Sequence, residues 1–177
     1  LINSEYKVEV NVIEKLCAPY GLVRTGVAPD HPLIKKSIEK FAVMAEAEAF
    51  NYFGNVSVGT DITIEDLKET HHAVIITMGA ETDRKLGIPG EDLKGSHTAT
   101  EFVAWYNGHP EYREREFDLS HETAVIIGQG NVAADVARIL AKTTDELKKT
   151  DISQHALDVL ENSKIKDIYV VGRRGPA

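Results

Sequence analysis

One cysteine, Cys17, is all the thiol chemistry this 177-residue sequence contains. A disulfide within the chain is therefore excluded, and so is a thiolate metal cluster. Cys17 lies in a Lys-Leu-Cys-Ala-Pro stretch with no activating neighbour and is read as an ordinary side chain. A reducing, cytoplasmic location suits such a composition. No apolar run approaches the roughly 18 residues that a membrane span requires, and the first residues lack the basic-then-apolar order of a signal peptide. Positive charge is in short supply: 20 Lys and Arg against 28 Asp and Glu leave a net charge of −8, which argues against nucleic acid as a partner. The histidines show no metal-ligand spacing. The pair His71 and His72 reads as a surface turn, and His97, His109, His121 and His155 read as scattered surface residues.

What is present is ordinary for a globular chain, with 42% hydrophobic and 27% charged residues. The length suits one good domain or two small ones. Residues 8–13 alternate as a strand. A Gly- and Pro-rich loop of functional length follows over 17–32, and then helical spacing of Ile34, Ile38, Phe41, Ala45 and Phe50. A short strand is expected at 55–58. A helix is expected at 63–70, with Thr63 as N-cap, Asp66 as its capping-box acid, and Glu65, Asp66 and Glu69 on a solvated face. The β-branched run 73–77 reads as a buried parallel strand. Turn chemistry at 88–95 suggests a domain boundary, giving domains over 1–94 and 95–177.

The second half repeats the alternation. A short helix is expected over 100–106, in which Trp105 and Tyr106 are packing residues. A buried strand follows over 123–127, then helices over 131–141 and 152–160 and a last strand over 168–171. Strand and helix in alternation indicate an α/β fold with parallel sheets. The chain opens almost directly on a strand and stops just after another, so both domains are expected to be incomplete.

The best-marked site is Gly128-Gln129-Gly130-Asn131-Val132-Ala133, which matches G-x-G-x-x-G/A between an expected strand and an expected helix. The first glycine permits the tight turn, the second lets backbone approach a pyrophosphate, and the small last residue lets helix and strand pack closely. The helix N-terminus then presents unpaired N–H groups and a positive dipole end to phosphate. Asp135, one turn further, is read as support for this helix end. The strand that follows ends in Gly172-Arg173-Arg174, with no acid for a ribose hydroxyl. Two guanidiniums there suit the 2′-phosphate of NADP(H). About forty residues separate loop and arginines instead of the usual twenty, an excess that an inserted helix between 142 and 166 would explain.

These residues are recognisable. Residues 128–138 with 171–176 resemble adrenodoxin reductase and the mycobacterial-type ferredoxin–NADP reductases, as do residues 19–32, Phe53-Gly54-Asn55-Val56, Ile88-Pro89-Gly90-Glu91 and Trp105-Tyr106-Asn107-Gly108. The resemblance covers nearly the whole chain. It implies two dinucleotide-binding (Rossmann-like) domains, one for FAD and one for NADP(H), with hydride passing from NADPH to FAD and electrons to a ferredoxin-like iron–sulfur protein. It implies that Glu14 binds the FAD adenosine ribose, that Leu22 and Val58 touch FAD mainly through backbone, and that Gln129 to Val132, Arg173 and Arg174 contact NADP(H). His31 matches a histidine near the flavin, with a supporting role in hydride or proton transfer. Residues 74–80 resemble the strand and turn that link the two domains. A glycine-rich FAD phosphate loop is expected ahead of the first strand, outside this sequence, and the fragment alone is expected to be inactive. A non-catalytic NADP(H)-binding module, and the electron-input subunit of a glutamate synthase-like enzyme, are the alternative readings.

Overall fold

The computed structural model of the chain describes residues 5–80, 82–173 and 175. The chain divides into two compact units, one of residues 1–23 and 35–81, the other of residues 24–34 and 82–177.

In the first unit, strands β1 (Val10–Glu14) and β2 (Phe50–Gly54) pair in parallel, with Val10 opposite Phe50 and Glu14 opposite Gly54. A parallel pair needs a crossover, and the connection between them contains helices α1 (Gly21–Thr25), α2 (Pro32–Lys35) and α3 (Ser37–Ala45). The helix expected over 34–50 is thus two helices, and its final residue belongs to β2. Phe50 is captured by the ladder with Val10, and a tertiary pairing of this kind overrides helical spacing. The strand expected at 55–58 lies at Phe50–Gly54 instead, and Val58 forms only an isolated bridge to Ile62. Gly54 is required by crowding, because a Cβ there would stand 3.1 Å from the carbonyl oxygens of both Leu16 and Cys17. Helix α4 (Ile64–Thr70) opens with the expected capping box of Thr63 and Asp66. Residues 73–77 form no strand, and Ile75 and Ile76 are exposed. No described strand pairs with them, and a β-branched run without a ladder stays irregular.

His71 is no free surface turn. Its Nε2 lies 3.0 Å from Asn11 Nδ2. Asn11 Oδ1 accepts from Asn51 at 2.9 Å, and Asn51 also donates to Glu9 at 2.8 Å. Sequence spacing does not reveal this chain, because it joins residues 60 positions apart.

In the second unit, β3 (Thr123–Ile127) and β4 (Asp167–Val171) pair in parallel, with Thr123 opposite Asp167 and Ile127 opposite Val171. Helices α5 (Ala99–Tyr106), α6 (Asn131–Ala141), α7 (Thr144–Leu147) and α8 (Gln154–Glu161) supply the core. Capping boxes start α5 (Thr98 with Glu101) and α7 (Thr143 with Glu146), each satisfying two otherwise orphan donors. Phe102, Trp105, Tyr106, Phe117, Val136, Ile139, Leu147 and Leu160 pack together. The rings of Trp105 and Phe117 lie 4.9 Å apart, and those of Phe102 and Phe117 meet edge-on at 5.0 Å. His155 is half-buried against this core, its Nε2 3.0 Å from the Trp105 carbonyl oxygen. The extra residues between 142 and 166 form two helices, α7 and α8, which place Leu147 and Ala156 in the core at 0% exposure. Strand β3 is not buried on both faces. Val125 and Ile127 are 60% exposed while Ile126 packs on the core, as one strand partner with helices on one face allows.

Candidate functional site

The site in the second unit grows from the end of β3. The chain leaves the strand at Gly128 with φ +133°, a region L side chains rarely enter. Its N–H donates to the Val171 carbonyl at 2.8 Å, which ties the loop to the end of β4. Ala133 is buried, and a Cβ at Gly128 would lie 3.9 Å from that of Ala133, so the small residue is what lets the turn and the helix approach. Gly130 is the N-cap of α6. The first bond into the helix runs from Ala134 N–H to the Gly130 carbonyl at 3.1 Å, so the amides of Asn131, Val132 and Ala133 have no acceptor within the helix. No acid lies in this first turn and no side chain caps it.

Gly130 is informative in another way. Its φ of −83° and ψ of 179° suit any residue, and a Cβ there would meet no atom within 4 Å. Neither the turn nor the packing needs a glycine here. A glycine with open space above it, at a bare helix N-terminus, fits a ligand whose phosphates come against the backbone. Gln129 folds toward β4, so that a side chain at Gly172 would run into it. The exposed Arg173 follows directly. The fold thus brings Gly128, Gln129, Gly130, Asn131, Val132 and Arg173 just beyond the C-terminal ends of the parallel strands β3 and β4. Arg174 lies outside the described residues.

His31 belongs to a charged cluster on α6 in the same unit. Arg138 grips Asp30 with both arms of its fork, Nε at 2.5 Å from Oδ2 and Nη2 at 2.7 Å from Oδ1. Lys142 Nζ adds a third contact at 3.2 Å. The Asp30 side chain is only 4% exposed. The hydrogen bonds from Arg138 hold its carboxyl down to about 2, against the opposing effect of burial, and Asp30 in turn pushes the Arg138 guanidinium further up. His31 Nε2 stands 3.0 Å from Asp135 Oδ1 and 2.8 Å from Arg138 Nη2. One ring nitrogen therefore has an acceptor and a donor in reach. Protonated, it donates to Asp135; unprotonated, it accepts from Arg138. The His31 side chain as a whole is 37% exposed.

The remaining expected residues lie in the first unit. Glu14 ends β1, and its Oε1 accepts from Leu16 N–H at 3.1 Å. The Val56 N–H donates to the Glu14 carbonyl at 3.1 Å, which brings the segment leading to Val58 against the end of β1. Leu22, in α1, is 76% exposed and Val58 is 45% exposed.

Sequence reasoning missed the Asp30, Asp135, Arg138 and Lys142 cluster. Part of its signal was visible: Asp135, Arg138 and Lys142 follow at steps of three and four, one face of a helix. Asp30 and His31 join them from residues more than 100 positions away, which no local spacing shows.

No protein-family model matches the chain. It is 53% identical over 176 residues to the mitochondrial NADPH:adrenodoxin oxidoreductase of Salvelinus fontinalis, covering 99% of this chain and 35% of that protein. To the NADPH-ferredoxin reductase FprA of Mycobacterium leprae it is 52% identical over 174 residues, covering 98% of this chain and 38% of that one. Among solved structures, Mycobacterium tuberculosis FprA in complex with NADPH matches with a TM-score of 0.95 at 49% identity, over 99% of this chain and 39% of that chain. The chain thus spans little more than a third of the length of these relatives. Across nearly all of its own residues the chain is thus similar, at 49% to 53% identity, to adrenodoxin reductases and mycobacterial ferredoxin–NADP reductases.

Proposed function

We propose that the chain is part of a flavoprotein oxidoreductase in which NADPH delivers a hydride to FAD and FAD passes electrons on to a ferredoxin-type iron–sulfur protein. The observation that carries this reading is the open space over Gly130 at the bare N-terminus of α6, with Arg173 following the Gly172 against which Gln129 lies. The amides of Asn131, Val132 and Ala133 would hold the pyrophosphate, and Arg173 and Arg174 the 2′-phosphate. Glu14 would hold ribose hydroxyls of FAD, with Leu22 and Val58 against that cofactor. Residues 1–94 are assigned to the FAD domain and 95–177 to the NADP(H) domain. The chain's own contribution is positioning: it orients two cofactors, and His31 keeps a ring nitrogen between Asp135 and Arg138. The relatives named above as adrenodoxin and ferredoxin reductases support the iron–sulfur partner. The single cysteine supports a reducing compartment, the cytoplasm, although several relatives are named as mitochondrial. No described helix is long and apolar enough to cross a membrane.

The test is calorimetric titration of the intact reductase with NADPH and with NADH, beside an Arg173→Ala/Arg174→Ala variant. The expected outcome is a preference for NADPH that the variant loses, by about 1.5–3 kcal/mol for charge-assisted hydrogen bonds. Equal affinity for both nucleotides in the unaltered protein would remove the NADP(H) assignment. Binding without reduction of flavin would favour a nucleotide-binding module.

A further inference from the structure

His31 sits on a turn that its backbone fixes. Its N–H donates to the Ala28 carbonyl at 3.0 Å, and Ala28 is fully buried. Beside the ring, Nη2 of Arg138 reaches three polar atoms: Asp30 Oδ1 at 2.7 Å, Asp135 Oδ1 at 2.9 Å and His31 Nε2 at 2.8 Å. A terminal guanidinium nitrogen carries only two hydrogens, so it cannot donate to all of them.

The atoms compete on unequal terms. Two are carboxylate oxygens, whose charge-assisted hydrogen bonds are about twice as strong as neutral ones. The other is a ring nitrogen. Asp30 is tied down further, because Nε of the same guanidinium holds its Oδ2 at 2.5 Å, Lys142 Nζ stands 3.2 Å away, and its side chain is only 4% exposed. Asp30 therefore keeps one Nη2 hydrogen and Asp135 takes the other. His31 Nε2 also stands 3.0 Å from Asp135 Oδ1. Without a hydrogen of its own, Nε2 would turn a lone pair on a carboxylate lone pair at that distance, with no Nη2 hydrogen left to relieve it. With a hydrogen it donates to Asp135, and every carboxylate contact of the cluster is filled at once.

We propose that Asp30 is a positioning residue that acts on His31 through Arg138. By claiming an Nη2 hydrogen, it leaves Nε2 of the neutral imidazole to carry its own hydrogen to Asp135. Nδ1 is then the unprotonated nitrogen of the ring, and it has no hydrogen-bond partner among the described residues. The placing of the hydrogen stands on these distances. That Nδ1 is the nitrogen which meets a bound cofactor or substrate rests on the function proposed above.

The experiment is long-range proton–nitrogen correlation NMR on the intact protein, with its histidine rings isotope-labelled and the His31 signals identified by their loss in His31→Gln. At a pH where the ring is neutral, His31 should show a protonated Nε2 and an unprotonated Nδ1. Asp30→Ala frees an Nη2 hydrogen and should bring in the Nδ1–H form as a substantial fraction. Asp135→Ala removes the acceptor and should convert the ring to Nδ1–H, with Nε2 accepting from Arg138. An Nδ1–H ring in the unaltered protein overturns the proposal whether or not the variants fold. So does a folded Asp30→Ala whose His31 spectrum is unchanged, which is what a purely structural role for Asp30 would give. Stopped-flow reduction of flavin by NADPH reads the consequence: in Asp30→Ala the rate should fall in proportion to the fraction of His31 that has left the Nε2–H form. A shifted tautomer with an unchanged rate removes His31 from the reaction while the hydrogen assignment survives. Failure of NADPH to reduce flavin in the unaltered protein removes the proposed function and leaves that assignment standing.

Discussion

Replacing Gly130 by alanine separates a ligand cradle from a mere turn. The backbone there, at φ −83° and ψ 179°, accepts a side chain without strain, and the added Cβ meets nothing within 4 Å. Two small effects on stability oppose each other. Lost freedom in the unfolded chain stabilises by about 0.4–1 kcal/mol, and alanine is a poorer N-cap than glycine by a similar amount, about 0.5 kcal/mol. Stability should therefore change by no more than about 0.5 kcal/mol. Binding should change far more. A methyl group over the first amides of α6 displaces phosphate from charge-assisted hydrogen bonds of about 1.5–3 kcal/mol, which weakens NADPH about ten- to a hundredfold. Urea unfolding followed by Trp105, the chain's one tryptophan, checks the first number, and calorimetry on the intact protein checks the second. Unchanged NADPH affinity would refute the reasoning, because the phosphates would then not cross Gly130. A large fall in stability would refute it differently, by showing that the fold itself needs this glycine.

The charged cluster gives further expectations. Arg138→Ala leaves Asp30, 4% exposed, with Lys142 alone, and should destabilise by about 2–4 kcal/mol as an under-compensated buried carboxylate; Asp30→Asn/Arg138→Met should recover most of that in the same urea assay. Asp30 is held at about 2 in the fold against 3.8 ordinarily. Because its folded value is depressed, its contribution of about 2 kcal/mol is fully present above pH 4 and lost as pH falls from 4 toward 2. That acid limb should flatten in Arg138→Ala, and an identical limb would show that other carboxylates control it. Leu147→Ala, at a position with 0% exposure in the inserted helix α7, should cost about 2–5 kcal/mol in thermal unfolding. A loss under about 1 kcal/mol would mean that α7 is dispensable to the core.

The sequence by itself determined the features that depend on neighbours along the chain. Gly128 to Ala133 announced a tight strand-to-helix turn because the turn at Gly128 and the close packing at Ala133 each demand a small residue at a fixed offset. Thr63 and Asp66 marked a helix start because a capping box is a three-residue device. Local pattern failed where long-range pairing decided. Phe50 continued a helical spacing yet joined β2 because Val10 waited across the ladder, and residues 73–77 carried strand chemistry without a described strand to pair with. Only the tertiary structure set Asp30 and His31 against Arg138 and Asp135, and showed that a Cβ at Gly130 would meet no neighbour. Charge pairing across a hundred residues and the space around an atom are properties of the folded surface, and no spacing in the sequence encodes them directly.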